Sequence, residues 1–220
     1  MSNKTRVCVP ILEKSYKSVI QTAEKSINAG ADLLELRFDF IEDPKISEIK
    51  GIIKEINFPI IVTNRKKDEG GFFNGSESER IRILIEAARY ADIVDIELST
   101  EEEHLKKVLE VANCAMVSYN DFNKTPSADE LIKIVNREKE LGDIAKFAVM
   151  PQKMSDTLIV LDVLSRVENT VGISMGNIGK YTRVVAPLFG SPITFASFKD
   201  VSAPGQLDIQ TTKDVLSKFV

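Results

Sequence analysis

Short runs of β-branched and other apolar residues alternate along the chain with longer segments in which apolar residues recur every three or four positions. The first pattern reads as strands and the second as amphipathic helices. The strand candidates are Arg6 to Leu12, Asp32 to Phe38, Pro59 to Thr63, Asp92 to Leu98, Cys114 to Tyr119, Ile144 to Met150, Thr170 to Met175 and Ile193 to Phe198. Helical spacing fills the intervals near residues 15–29, 44–56, 77–90, 101–111, 127–139, 155–166, 178–187 and 208–219, with Ser127 and Asp208 placed as N-caps of the fifth and eighth. Strictly alternating elements predict an α/β fold with a parallel sheet, and eight such pairs predict a closed (β/α)8 barrel. An open doubly wound sheet shares the alternation, but it more often carries a glycine-rich phosphate turn after its first strand, and here that strand ends Pro10-Ile11-Leu12. No linker rich in Pro, Gly or Ser divides the chain, so residues 1–220 are read as a single domain.

Length agrees, since 220 residues suit one barrel at the lean end of its size range. A net charge of −4 gives no long-range attraction to nucleic acid or anionic lipid, so the expected partner is a small molecule held by local basic residues. Cys8 and Cys114 fall in separate strand-like runs, without the close spacing of a metal clip or disulfide framework, which suggests a reduced, cytoplasmic setting. The opening MSNKTRVCVPI is too short an apolar stretch for a signal peptide, and no run of roughly 18 apolar residues suggests a membrane span.

A barrel carries its reactive groups at the C-terminal ends of its strands, so polar residues there are the first candidates for chemistry. The second strand ends in ELRFD, where Glu35, Arg37 and Asp39 recur at period two and are expected on one face. Three charges inside an apolar barrel are costly unless they pair with each other or with a ligand. The sixth strand contains Lys146 in IAKFAVMP, flanked by apolar residues and with no acidic neighbour in sequence. Burial and nearby cations such as Arg37 would disfavour its ammonium form and yield an amine nucleophile; the alternative is a strand-end lysine snorkelling to solvent. Further on, SMGNIGKYTR places Met175 at a strand end and Arg183 on the next helix. A guanidinium there can clamp a carboxylate through two parallel hydrogen bonds, or simply face water. SAPGQ then offers Ser202 and Gln206 around a Pro-Gly turn signal.

Taken together, ELRFD, TNRKKDEGG, VSYNDF, IAKFAVMP, ISMG, Arg183, FGSPITFA and SAPGQ resemble type I 3-dehydroquinate dehydratase in identity, order and spacing over nearly the whole chain. The resemblance implies removal of water from 3-dehydroquinate to give 3-dehydroshikimate in the shikimate pathway, with no metal or organic cofactor and with a homodimeric assembly. The imine-forming lysine of the family falls on Lys146. Arg183, Ser202 and Gln206 resemble the residues that hold the substrate's carboxylate and hydroxyls; Glu35, Arg37 and Arg65 resemble polar wall and substrate contacts, and Met175 an apolar wall.

One position departs from the pattern. Where the family has a histidine before the Asp-Phe pair, VSYNDF has Asn120, whose amide cannot titrate in the useful range. The sole histidine, His104, lies in EEEHLKKVLE, expected on an outer helix. The resemblance therefore implies a strongly impaired dehydratase. Two other readings stand beside it: a different Schiff-base barrel, such as an aldolase acting on sugar phosphates, and a relative that binds a carboxylate without turnover.

Overall fold

The computed structural model describes residues 5–219; Met1–Lys4, part of the opening segment read above, and Val220 lie outside the described residues. Its eight strands are β1 (Arg6–Ile11), β2 (Leu33–Arg37), β3 (Ile60–Thr63), β4 (Ile93–Glu97), β5 (Ala115–Asp121), β6 (Ile144–Val149), β7 (Thr170–Ser174) and β8 (Ile193–Phe195). They form one parallel sheet in the order β7-β6-β5-β4-β3-β2-β1-β8. The last strand thus returns to pair with the first. A seam remains between β7 and β8, which share no ladder among the described residues. This is the expected eight-stranded α/β barrel, nearly closed.

Period-two alternation explains how each strand serves two environments. Val7, Val9, Leu34, Leu36, Ile60, Val62, Val94 and Ile96 join the outer apolar cluster with the helices. Cys8, Leu33, Ile61, Ile93, Met116, Ile144, Val171 and Ile193 form a separate cluster inside the barrel. Two residues further along their strands, Glu35, Thr63, Asp95, Ser118 and Lys146 continue the inner face as a buried polar layer. The apolar floor and the polar layer above it therefore follow from one register.

The outer helices are α1 (Tyr16–Asn28), α2 (Ile46–Ile56), α3 (Glu77–Ala88), α4 (Glu102–Leu109), α5 (Ala128–Leu141), α6 (Met154–Arg166), two short helices α7 (Gly176–Gly179) and α8 (Thr182–Val185), and α9 (Ile209–Leu216). Ser127 and Asp208 cap α5 and α9 as expected, accepting from the amides of Glu130 and Thr211. The acidic and basic residues of α4 form exposed pairs, Glu102 with Lys106 and Glu103 with Lys107.

The continuous helix expected over residues 178–187 is corrected: the segment breaks into α7, α8 and a 3-10 turn, Ala186–Phe189. The cause is close packing against the end of β7. A Cβ on Gly179 would lie 2.3 Å from the Ser174 carbonyl oxygen, and Thr182 Oγ1 donates to the Gly179 carbonyl while accepting from the Ser174 amide. The hydroxyl satisfies the Gly179 carbonyl, which a regular helix would have paired, and ties the segment to the end of β7. The eighth strand is also shorter than expected, ending at Phe195. Both cysteines are free, and no helix among the described residues is long and apolar enough to cross a membrane.

Candidate active site

Lys146 leaves the middle of β6 toward the barrel axis and is only 6 % exposed, which removes the solvent-snorkelling alternative. Its Nζ donates to Asp95 Oδ2 at 2.6 Å and lies 4.7 Å from the centre of the Phe195 ring. The expectation that neighbouring cations such as Arg37 set the surroundings of this amine is corrected here, since its direct partner is a carboxylate. Asp95 is remote in sequence, but β4 brings it to the same polar layer two strands away.

The other oxygen of Asp95 accepts from Arg65 at 2.7 Å and from Ser118 at 2.7 Å. Arg65 also donates to Ser118 Oγ at 2.8 Å and pairs with Glu97 at 3.1 Å. Glu97 in turn accepts from Arg80 of α3 at 2.8 Å. Burial pushes the Asp95 carboxyl up, but the charges of Arg65 and Lys146 and the hydrogen bonds from Lys146 and Ser118 outweigh it and hold it well below the usual carboxylate range. Burial likewise lowers Arg65, and Asp95 and Glu97 more than restore it. The network is buried and mutually neutralising, the condition under which charges tolerate a barrel interior.

Glu35, Arg37 and Asp39 do not remain one alternating trio. The strand stops at Arg37, and Asp39 sits in the 3-10 turn Phe38–Phe40. From there it grips Arg37 with both oxygens, at 2.8 and 2.6 Å. Burial would lower the Arg37 guanidinium, and Asp39 outweighs that effect. Glu35 instead accepts from Thr63 Oγ1 at 2.8 Å.

Arg183 on α8 reaches the barrel mouth, 2 % exposed, where one terminal nitrogen donates to the Pro204 carbonyl at 3.0 Å and Nε has no partner. Burial without a carboxylate alongside pushes it down to about 10, so it stays cationic at neutral pH. The SAPGQ loop faces it. Gln206 accepts from the Ser202 amide at 2.7 Å and donates to the Ser202 hydroxyl at 2.8 Å, which fixes the turn. Gly205 has φ +80°, and a Cβ there would lie 2.2 Å from the Gly176 carbonyl oxygen, so the loop packs directly on the start of α7.

Glu35, Arg37, Arg65, Asn120, Lys146, Met175, Arg183, Ser202 and Gln206, all named from the sequence, line one cavity at the C-terminal end of the barrel. Asn120 is held there by Glu69, whose Oε2 accepts from its backbone amide at 3.0 Å and its side chain at 3.1 Å. His104 lies outside this group, on α4, 3.8 Å from Glu101. A larger hollow of ≈ 730 Å³ opens between the segments following β2 and β3. It contains none of these nine residues; chemistry rather than size marks the site. Among the described residues no group of three or more His, Cys, Asp or Glu is arranged to hold a metal ion.

Sequence reasoning passed over Asp95, Glu97 and Glu69. The first two had a signal: DIVDIEL repeats the period-two acidic pattern of ELRFD at another strand end. Glu69 had no periodic signal, because the turn that carries it does not follow a strand or helix period; it lies in TNRKKDEGG, where only Arg65 was singled out.

A 3-dehydroquinate dehydratase of Methanothermobacter thermautotrophicus is 50% identical over 216 residues, covering 98% of both chains. The enzyme of that name from Methanobrevibacter smithii is 50% identical over 217 residues, covering 99% of this chain and 97% of its own. The crystal structure of type I 3-dehydroquinate dehydratase from Clostridium difficile with covalently modified comenic acid superposes with a TM-score of 0.91 at 31% identity, covering 98% of this chain and 92% of that one. Residues 7–219 match the model of type I 3-dehydroquinase, and the chain belongs to that family.

Proposed function

We propose that this protein removes water from 3-dehydroquinate to give 3-dehydroshikimate, through an imine between Lys146 and the substrate ketone. The observation that carries this reading is a primary amine buried in the barrel beneath a cavity that also holds Arg183, a buried cation with an unpartnered nitrogen. Amine and anion site together suit a keto acid. The family and the names of the relatives support the same hydro-lyase activity.

Condensation of the amine with the ketone releases water and gives a cationic imine. That cation withdraws electrons from the adjacent carbon and acidifies its proton, after which the hydroxyl one carbon further on can leave. Asp95 faces the nitrogen and stabilises the positive charge of the imine before the proton leaves and again in the conjugated imine that follows loss of the hydroxyl. Arg183, Ser202 and Gln206 hold the carboxylate and hydroxyls; Glu35, Arg37 and Arg65 form the polar wall, and Met175 the apolar one. Asn120 occupies the wall without a titratable group, so proton transfer is the weak step and turnover is slow.

Borohydride reduction in the presence of 3-dehydroquinate tests the imine. The intact mass is expected to rise by the reduced ligand on Lys146 and to stay unchanged in Lys146→Met. An unmodified lysine alongside a relative that is labelled under the same conditions rules the mechanism out. The same reading includes a homodimer. Met154 and Leu158 on α6 and Leu188 and Phe189 in the 3-10 turn that contacts it are exposed apolar side chains available to a partner, and light scattering coupled to size exclusion measures the assembly.

A further inference from the structure

The dehydration needs a group that takes a proton from carbon and returns it to oxygen. Asn120 cannot. Asp95 is committed to Lys146, Arg65 and Ser118 and is not among the residues that line the cavity. Glu35 accepts from Thr63. Glu69 is set apart by its direct contact with position 120.

It lies in the 3-10 turn Lys67–Glu69 after β3, is 8 % exposed, and lines the same cavity as Lys146. Every hydrogen bond to its carboxylate comes from an uncharged donor: the Ser99 hydroxyl on Oε1, and the amide and side-chain nitrogen of Asn120 on Oε2. No salt bridge among the described residues includes it. Neutral donors leave a carboxyl group free to exchange its proton, whereas a guanidinium locks it as the anion. Burial also raises its affinity for a proton. The charged or titratable groups around it are Glu35 from β2, Arg65 following β3, Arg80 from α3 by way of Glu97 of β4, Tyr119 of β5, Lys146 of β6, Glu138 of α5 at longer range, and Lys66 in its own segment.

We infer that Glu69 carries the proton in this chain's dehydration, in place of a group at position 120. The inference rests on the Lys146 imine. Once that imine has formed, the bond to hydrogen on the neighbouring carbon breaks. Its electron pair becomes the enamine double bond and neutralises the nitrogen, while the proton passes to Glu69. The enamine then expels the hydroxyl one carbon further on, which takes the proton from Glu69 and leaves as water. A second water hydrolyses the conjugated imine and regenerates Lys146; condensation has already released one, so the net loss is one water.

The test uses the unaltered protein, Glu69→Gln, Asn120→His and the double variant. Each is assayed for dehydration by the absorbance of the conjugated product, and separately for the borohydride-trapped adduct on Lys146 by intact mass. Glu69→Gln is expected to lower dehydration about 100-fold or more while the adduct still forms. In the Asn120→His background the same substitution is expected to cost less than about tenfold, because the imidazole then carries the proton. The acid limb of the pH–rate profile should lie above the ordinary carboxylate range in the unaltered protein and move toward that of imidazole in Asn120→His. Glu69→Gln turning over within about threefold of the unaltered protein overturns the inference, as does an unaltered protein that forms the adduct but never dehydrates. If Glu69→Gln loses the adduct as well, Glu69→Asp decides: recovered turnover supports the role and none overturns it. Absence of adduct from all four proteins refutes the imine instead.

Discussion

Lys146 Nζ and Asp95 Oδ2 lie 2.6 Å apart with the carboxylate side chain wholly buried and the lysine side chain 7 % exposed. Asp95 at once holds the proposed nucleophile and, through its other oxygen, Arg65. Removing it strands two buried cations. Asp95→Ala is expected to destabilise the fold by about 3–5 kcal/mol, read as a lowered melting temperature.

The same carboxyl gives a signed pH dependence. Its folded value lies below its unfolded one, so its stabilisation is complete above the unfolded value of about 3.9 and is lost as pH falls through the folded value. The gap in melting temperature between the unaltered protein and Asp95→Asn should narrow on acidification below about pH 4. A gap that stays constant down to about pH 2 contradicts this assignment.

Glu138 on α5 predicts the opposite trend. It is 0 % exposed, neither carboxyl oxygen has a partner, and burial pushes it up to about 9. The unfolded chain releases this proton near the ordinary 4.5 while the folded chain keeps it to about 9, so the folded state loses stability as pH rises across that window, at about 1.4 kcal/mol per pH unit. Glu138→Gln should therefore melt higher than the unaltered protein at about pH 8 and close to it at about pH 4. Urea unfolding at the two pH values provides the check.

Asn120→His is expected to raise dehydration by about 100-fold or more, since a positioned imidazole contributes on that scale. Glu69 is already placed to orient it, having both a backbone and a side-chain contact at that position. Binding of substrate with no turnover in either protein would favour a carboxylate-binding relative that has lost the reaction.

Arg183→Gln removes the cation at the barrel mouth and is expected to raise KM about tenfold or more with a smaller change in kcat, the loss of a charged hydrogen bond to substrate. A fall confined to kcat contradicts a binding role.

Regular periodicity made most of this legible in advance. The eight strands and the caps at Ser127 and Asp208 lie where a period of two and helix-start chemistry place them. That Glu35, Arg37, Lys146 and Met175 share one cavity was legible for the same reason, since a barrel turns strand position into position around one mouth, whereas Arg65 and Asn120 entered through the family resemblance. Pairings across the axis were not. Nothing near Lys146 in sequence announces Asp95, because the bond is set by the register of β4, β5 and β6 rather than by local spacing. The break at Gly179 was hidden in a different way, for it depends on how closely the segment approaches Ser174.

The open seam between β7 and β8 gives the barrel an unlatched edge. Arg183 and the Ser202–Gln206 turn follow one strand each on either side of it, joined across the gap by the contact with Pro204. An anion gripped by both would work as a clasp. Amide hydrogens of Ile193–Phe195 and of the turn should then exchange with deuterium more slowly in its presence, while those of β3 to β5, already laced on both sides, keep their pace.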